Sequence, residues 1–370
     1  MPCARPTRKE FLAQCAQLAT CGGLALAGWM LAACGRPTRS VQPGFGRNGT
    51  SDAWPAEGRQ PRIDPDFEPG YLTLHRNGEL KRRGEQLWQR MSRCQLCPRE
   101  CGAARLAGAR GTCGASADLR IASYHPHFGE ERPLVGRFGS GTVFFSHCNL
   151  RCVFCINWPI NHDGQGDRRH LDELATMMLR LQDQGCHNIN VVTPTHYAAH
   201  ILLALDRAAE RGLRLPLVYN TSGWERVDVL ALLDGVVDIY LPDFKYFDPA
   251  MAHRYSAGAR SYPEVTSAAI LEMHRQVGVA KPAPDGLMYR GLMIRHLVLP
   301  NDVSGTKGVI GWIAANLPRD TYVNLMSQYR PAHRAREYPA LSRPLTRREF
   351  ELAVAWTRES GLTRVDIQGE

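Results

Sequence analysis

The sequence predicts an α/β fold built on a parallel sheet. Two observations carry this: short apolar, strand-like runs alternate with helix-period segments through the central region, and a polar or glycine-containing stretch follows each run. With 370 residues, 44% of them hydrophobic, the chain can bury one sizeable core with appendages. Thr142 to Phe145 reads as the first strand. Its helix spans Leu171 to Gln184, where Leu171, Leu174, Ala175, Met178 and Leu181 recur at helical spacing, Asp172 and Glu173 favour the first turn, and Gly185 stops it. Asn188 to Thr193 is the second strand, with a helix over Ile201 to Ala209 and a stop at Gly212. Leu217 to Asn220 and Val227 to Leu233 form the third pair, and Val236 to Leu241 is the fourth strand. Leu292 to Val298 is the fifth, and the helix Val309 to Asn316 leads into the sixth, Tyr322 to Met326.

In a parallel barrel, chemistry gathers at the carboxyl ends of the strands. Thr193-Pro194-Thr195-His196, Asn220-Thr221-Ser222-Gly223, Asp243-Phe244-Lys245, His296 to Asn301 and Ser327-Gln328-Tyr329-Arg330 are all expected at that end. Cys186 sits in a turn entering the second strand, on the opposite face, and reads as a small core or turn residue.

The loop after the first strand runs Ser146-His147-Cys148-Asn149-Leu150-Arg151-Cys152-Val153-Phe154-Cys155. Three thiolates at this spacing leave one corner of a four-iron cluster without a protein ligand, whereas ferredoxin-type carriers close the set with a fourth Cys. The competing reading is a structural zinc knuckle completed by His147 or His162, or unconnected buried thiols. A second group, Cys94, Cys97, Cys101 and Cys113, precedes the first and points to metal binding. An additional iron-sulfur cluster and a structural zinc both accept four thiolates, and spacing does not choose between them. Reduced thiols or a disulfide pair are the alternatives.

At the N-terminus, Arg5, Arg8 and Lys9 precede the apolar segment Leu18 to Ala33, the layout of an export signal. Leu31-Ala32-Ala33-Cys34 is similar to a lipoprotein cleavage box, and Thr7 to Leu12 resembles a twin-arginine signal with one Arg replaced by Lys. Membrane association through this segment is the expectation, on either side of the membrane, with a cytoplasmic location if the signal does not function. Residues 35–70, rich in Pro, Gly, Arg and Ser, read as a flexible linker; 71–135 as a Cys-rich extension, 136–330 as the barrel and 331–370 as a C-terminal extension. The net charge of +9 is scattered over Lys81-Arg82-Arg83, Arg168-Arg169 and Arg347-Arg348 without interleaved aromatics, so it reads as a solvated surface and no nucleic-acid partner is expected.

Cys148, Cys152, Phe154 and Cys155 after the strand Thr142-Val143-Phe144-Phe145 resemble the CxxxCxφC motif of the radical S-adenosylmethionine (SAM) superfamily. Cys94 to Cys101, the run Leu119 to Glu131, this motif and Asp238 to Tyr246 together resemble an uncharacterised group of that superfamily described as homologous to pyruvate formate-lyase activating enzymes. The resemblance implies a partial (βα)6 barrel with an N-terminal Cys-rich extension. It also implies a [4Fe-4S] cluster on Cys148, Cys152 and Cys155, with the amino and carboxylate groups of SAM on the fourth iron. The implied reaction is reductive cleavage of SAM to a 5′-deoxyadenosyl radical that takes hydrogen from an unknown substrate, either a glycine of a partner protein or a small molecule. An electron donor such as flavodoxin or ferredoxin is implied with it. Asp243 and Lys245 are similar to a Leu-Asp-Leu-Lys segment of glycyl-radical activating enzymes and are the catalytic candidates. Thr193 and Thr195 stand where the superfamily carries a Gly-Gly-Glu-like run for the SAM amino group; Asn220 and Ser222 are candidates for the ribose hydroxyls, and His296 or Arg295 for the SAM carboxylate. Members of the group commonly have Gly, Gln and Ser where this chain has His147, Ile156 and Asn161, so the flanks of the motif are altered. A membrane-associated, non-catalytic iron-sulfur electron carrier, or a zinc-stabilised interaction protein, is the alternative class.

Overall fold

A computed structural model describes residues 67–368. The export-type segment, the lipoprotein-like box and nearly all of the linker therefore lie outside the described residues. Two helices come first, α1 (Gly70–Arg76) and α2 (Glu79–Gln89), and the Cys-rich segment follows them. Next are strands β1 (Arg120–His127), β2 (Ser140–Phe145) and β3 (Asp167–Arg168), then α3 (Leu171–Asp183), β4 (Ile189–Val192), α4 (Ala198–Glu210), β5 (Leu217–Thr221) and α5 (Val227–Leu230). The chain continues through β6 (Ile239–Pro242), α6 (Pro249–Tyr255), α7 (Tyr262–Val277), β7 (Gly291–Leu297), α8 (Thr306–Asn316), β8 (Tyr322–Met326), α9 (Arg347–Glu359) and β9 (Val365–Ile367).

The sheet order is β3-β1-β2-β4-β5-β6-β7-β8-β9. From β2 to β9 every pairing is parallel, and β2, β4, β5, β6, β7 and β8 are the six strands expected from the sequence. They are neighbours in chain order because helical crossovers return each strand beside its predecessor. β1 and β3 add an antiparallel edge, so the segment that reads as an extension before residue 135 contributes a strand to the sheet. β9 adds a further parallel strand from the C-terminal segment.

Two boundaries differ from the expected ones. The fourth strand begins at Ile239, not Val236, because Gly235 is left-handed (φ 74°) and the Val236 N–H closes a turn on the Leu233 carbonyl. The helix expected over Val227 to Leu233 keeps α geometry only to Leu230 and tightens to a 3₁₀ turn over Ala231–Leu233.

The strands are buried on both faces: Val143, Ile189, Val191, Val218, Tyr219, Ile239 and Tyr240 are all essentially inaccessible. α3 and α4 carry their apolar faces (Leu174, Ala175, Met178, Leu181; Ile201, Leu202, Leu205, Ala208) onto this sheet. The buried Asp238 carboxylate accepts from the Gly70 N–H (3.0 Å) and the Leu217 N–H (2.9 Å), tying the start of α1 to the amino ends of β5 and β6. Among the described residues no helix is long and apolar enough to cross a membrane.

Gly223 shapes the turn leaving β5. Its φ is 79°, and a Cβ there would stand 2.2 Å from the Asp243 carbonyl oxygen. Gly223→Ala is expected to cost about 2 kcal/mol or more, since conformational strain and a backbone clash add; an unchanged urea midpoint at unchanged slope would contradict this account of the turn.

Candidate functional site

Each candidate side chain is placed by a strand end. Arg295, in β7, is the hub of a polar network: its Nε donates to Asp243 Oδ1 (2.9 Å), one terminal nitrogen to Asn220 Oδ1 (2.6 Å) and the other to Glu130 Oε2 (3.3 Å). Asn220, in β5, turns its amide to Glu130 Oε1 (3.3 Å). Lys245 Nζ donates to Asp243 Oδ2 (2.6 Å) and is close enough to Cys152 for the two to interact electrostatically. Burial alone would raise the Asp243 carboxyl, but Arg295 and Lys245 hold it below its ordinary value. For Glu130 burial outweighs the attraction of Arg295 and pushes the carboxyl up to about 7.

β7 also places one expected site residue away from the network. Successive side chains of a strand point to opposite faces, so with Arg295 turned into the network, His296 points the other way. It is fully buried, with Nδ1 at 2.6 Å from the Phe244 carbonyl and Nε2 at 2.9 Å from the Thr306 hydroxyl in α8. Both nitrogens are engaged there, and burial lowers the imidazole to about 4, so it is a neutral structural group. Arg295 takes the inward place. Thr195 is engaged elsewhere as well: its hydroxyl donates to Glu225 Oε1 (2.5 Å), which Thr221 also contacts, in a fully buried cluster. Thr193 is half-buried at the end of β4, while the Ser222 hydroxyl is buried and, among the described residues, lacks a hydrogen-bond partner.

The Cys148 loop is held from several sides. Ser256 Oγ donates to Cys152 Sγ (3.2 Å) and contacts the Tyr246 hydroxyl (2.9 Å), and the Asn161 amide donates to Cys155 Sγ (3.3 Å). The Val153 N–H bonds the Tyr255 carbonyl (2.9 Å), and His162 Nε2 contacts the Cys152 carbonyl (3.0 Å). Burial pushes the Cys152 thiol up to about 11 and Cys155 up to about 12, while Lys245 and Ser256 oppose it at Cys152 and Asn161 at Cys155. Donors and a cation aimed at buried sulfurs suit thiolates bound to metal, whose binding displaces the thiol protons. Among the described residues no three His, Cys, Asp or Glu side chains converge on the position of one ion, an arrangement that a cluster with one thiolate per iron does not require. No disulfide joins the eight described cysteines. Cys186 is fully buried near the Phe138 carbonyl, before β4 and at the amino end of the sheet.

His147 has φ 75°, a conformation natural to glycine. Its ring fills the space between Gly114 and Gly164: a Cβ on Gly114 would meet Nδ1 at 2.8 Å, and one on Gly164 would meet Cε1 at 2.3 Å. Ile156 is 59% exposed and touches neither thiol network.

A family model for the radical SAM superfamily matches residues 142–280. An uncharacterized protein of Methanocaldococcus jannaschii is 32% identical over 271 residues, covering 70% of this chain and 73% of that protein. The chain belongs to the radical SAM superfamily. Membership implies a [4Fe-4S] cluster and SAM as cofactors of an enzyme. Two solved structures are similar in part. A radical SAM methyltransferase from Sphaerobacter thermophilus is 18% identical, with a TM-score of 0.42, over 61% of this chain and 65% of that one. Streptococcus suis SuiB bound to S-adenosylmethionine is 11% identical, with a TM-score of 0.40, over 60% and 48%. Either match thus spans less than two thirds of the solved chain.

Glu130, Glu225 and Ser256 escape sequence reasoning. Glu130 lies in the run Leu119 to Glu131, which carries part of the resemblance without assigning this residue a role, and Ser256 follows α6 about a hundred residues from the thiol it meets. Arg295 was legible only as one of two neighbours.

Two expectations follow. At φ 75° a non-glycine residue costs about 1–2 kcal/mol, so His147→Gly should unfold at higher urea than His147→Ala by about 1 kcal/mol; the opposite ranking would remove backbone strain as the reason for glycine there. Burial raises Glu225 to about 7 against the hydrogen bonds of Thr195 and Thr221. Between its ordinary value and about 7 the folded state keeps a proton that the unfolded state releases, so this group's contribution falls as pH rises through that window and its cost is complete above it. Glu225→Gln should therefore gain roughly 1–3 kcal/mol at pH 8 relative to pH 5, read from urea unfolding at both; a pH-independent difference would contradict this.

Proposed function

We propose that Cys148, Cys152 and Cys155 hold the cluster and that this radical SAM enzyme abstracts hydrogen from a substrate placed over the Arg295 network. The observation that carries the reading is the convergence of the Cys152 and Cys155 sulfurs with Ser256, Asn161 and Lys245 at the carboxyl end of the sheet. When bound, the cluster and SAM supply a 5′-deoxyadenosyl radical by one-electron cleavage. The chain's own groups orient and shield. Ser256 and Asn161 donate to two sulfurs and favour their thiolate form. Ser222, with its unpartnered buried hydroxyl, and Thr193 are available to the ribose and amino groups of SAM, whereas Asn220 is committed to holding Arg295 and Glu130. Lys245 and Arg295 present positive charge beside Asp243 and offer a seat for the carboxylate of SAM.

For the substrate we favour a glycyl residue of a partner protein over a small molecule. Support comes from the Asp243-Phe244-Lys245 segment and from Ile156 and Trp158, large apolar side chains exposed at 59% and 38% in or beside the cysteine loop. A flavodoxin or ferredoxin is the proposed electron donor.

The full chain, reconstituted with iron and sulfide without oxygen, reduced and given SAM, should release 5′-deoxyadenosine detectable by mass. Cys152→Ala should abolish the product, and Lys245→Ala should lower the rate by roughly 10²-fold through lost placement. Product that survives Cys152→Ala would overturn the site; an intact cluster that binds no SAM would favour the electron-carrier class.

A further inference from the structure

The Cys-rich segment before β1 carries a buried cation that the radical SAM site does not use. Arg105 is fully buried. Its guanidinium donates to the Ser116 carbonyl (2.7 and 3.1 Å) and the His196 carbonyl (2.9 Å), and one terminal nitrogen lies 3.8 Å from Cys94 Sγ. No ion pair to a carboxylate is formed by Arg105 among the described residues, in contrast to Arg295, which has two. A buried guanidinium surrounded by carbonyls and neutral thiols would leave a full charge uncompensated, a state that folded proteins avoid. Something beside it is negative.

Cys97, Cys101 and Cys113 of the same segment are each close enough to Cys94 to interact with it. A backbone ladder, Cys94 N–H to the Ala103 carbonyl (3.0 Å) and Gly102 N–H to the Cys94 carbonyl (3.1 Å), folds Cys101 back beside Cys94. Gly111 brings in the last member: a Cβ on it would stand 3.3 Å from Cys101 Sγ and 3.4 Å from Cys113 Sγ, so this backbone lies against both sulfurs. Left-handed Gly102 and Gly114 directly after two of the cysteines, and a buried cation with no acid, suit a thiolate cage around metal.

The structure assigns Cys94, Cys97, Cys101 and Cys113 to a second, four-thiolate metal centre whose negative charge is balanced by Arg105. The chemistry that fits is an iron-sulfur cluster with all its corners closed, one thiolate per iron, because no three of these side chains converge on one ion among the described residues. The centre is a closed one, with no position open to SAM. It is also fastened to the Cys148 loop. Arg99 donates to the carbonyls of Asn149 (2.7 Å), Leu150 (3.3 Å), Ser256 (3.2 Å) and Ala257 (2.8 Å), and Arg151 reaches the Cys113 carbonyl (3.4 Å). Metal in this centre therefore orders the segment from which Arg99 holds the loop of the other three cysteines.

The test removes the first site so that the two assignments fail separately. The full chain with Cys148, Cys152 and Cys155 all changed to Ala is purified without oxygen and analysed for iron, sulfide and zinc. Retention of about four iron with matching sulfide supports the centre; a folded triple variant that retains only zinc, or that binds no iron and sulfide after reconstitution, overturns it. In the native protein, iodoacetamide should leave Cys94, Cys97, Cys101 and Cys113 unlabelled until a chelator is added, and labelling of all four before chelation counts against the centre. Arg105→Met should release the metal to a chelator at least tenfold faster than the unsubstituted chain while keeping its helical circular dichroism, whereas an unchanged release rate overturns the counter-charge role.

Discussion

Parallel registration of consecutive strands is the constraint on which the site depends. Backbone bonds align β2 with β4, β4 with β5, β5 with β6 and β6 with β7. The Asp243 N–H then continues the ladder to the Thr221 carbonyl, and the Phe244 N–H to the Arg295 carbonyl. Because all these strands run the same way, the residues that end them share one face, and side chains more than a hundred positions apart come within hydrogen-bond distance. Glu130 and Arg295 meet only because β1 pairs with β2 at one side of that ladder and β7 stands at the other.

Charge compensation organises what the ladder brings together. Arg295 is balanced by Asp243 and Glu130, Lys245 by Asp243, and the Asn220 amide bridges the group. Each buried charge in this network has a partner of opposite sign, which is the condition for holding ions away from water. The Cys-rich segment departs from that rule at Arg105, and the departure is what singles it out. Arg99 extends the same logic between the two cysteine groups: it satisfies four carbonyls and stacks over Trp224 at 5.0 Å.

The six parallel strands and the helices α3, α4 and α8 were legible because apolar periodicity and glycine stops report burial that is local in sequence. Thr142 to Phe145, Leu171 to Gln184 and Tyr322 to Met326 match the observed β2, α3 and β8 to within two residues at each end. The antiparallel β1 and the terminal β9 were not legible, since a strand such as Arg120–His127, with a mixed burial pattern, lacks a clean alternation. Asp243 and Lys245 could be picked out because they stand in one short segment, and the structure puts them on one ion pair. His296 could not be sorted from Arg295, because a one-residue change of register moves a strand side chain from the mouth to the opposite face; Thr195, in the 3₁₀ turn after β4, is set by its contact with the distant Glu225.

By itself the sequence determined the family-type cysteine spacing, the α/β class and the face on which polar strand ends gather, because spacing within a loop and periodicity within an element are properties of contiguous residues. Tertiary structure alone decided that Arg295, not His296, faces the network, that Ser256 and Asn161 serve the thiols, and that Arg105 lies buried beside Cys94 without an acid. Those are contacts between distant segments, set by which strands pair and which way each side chain turns, and no local pattern encodes them.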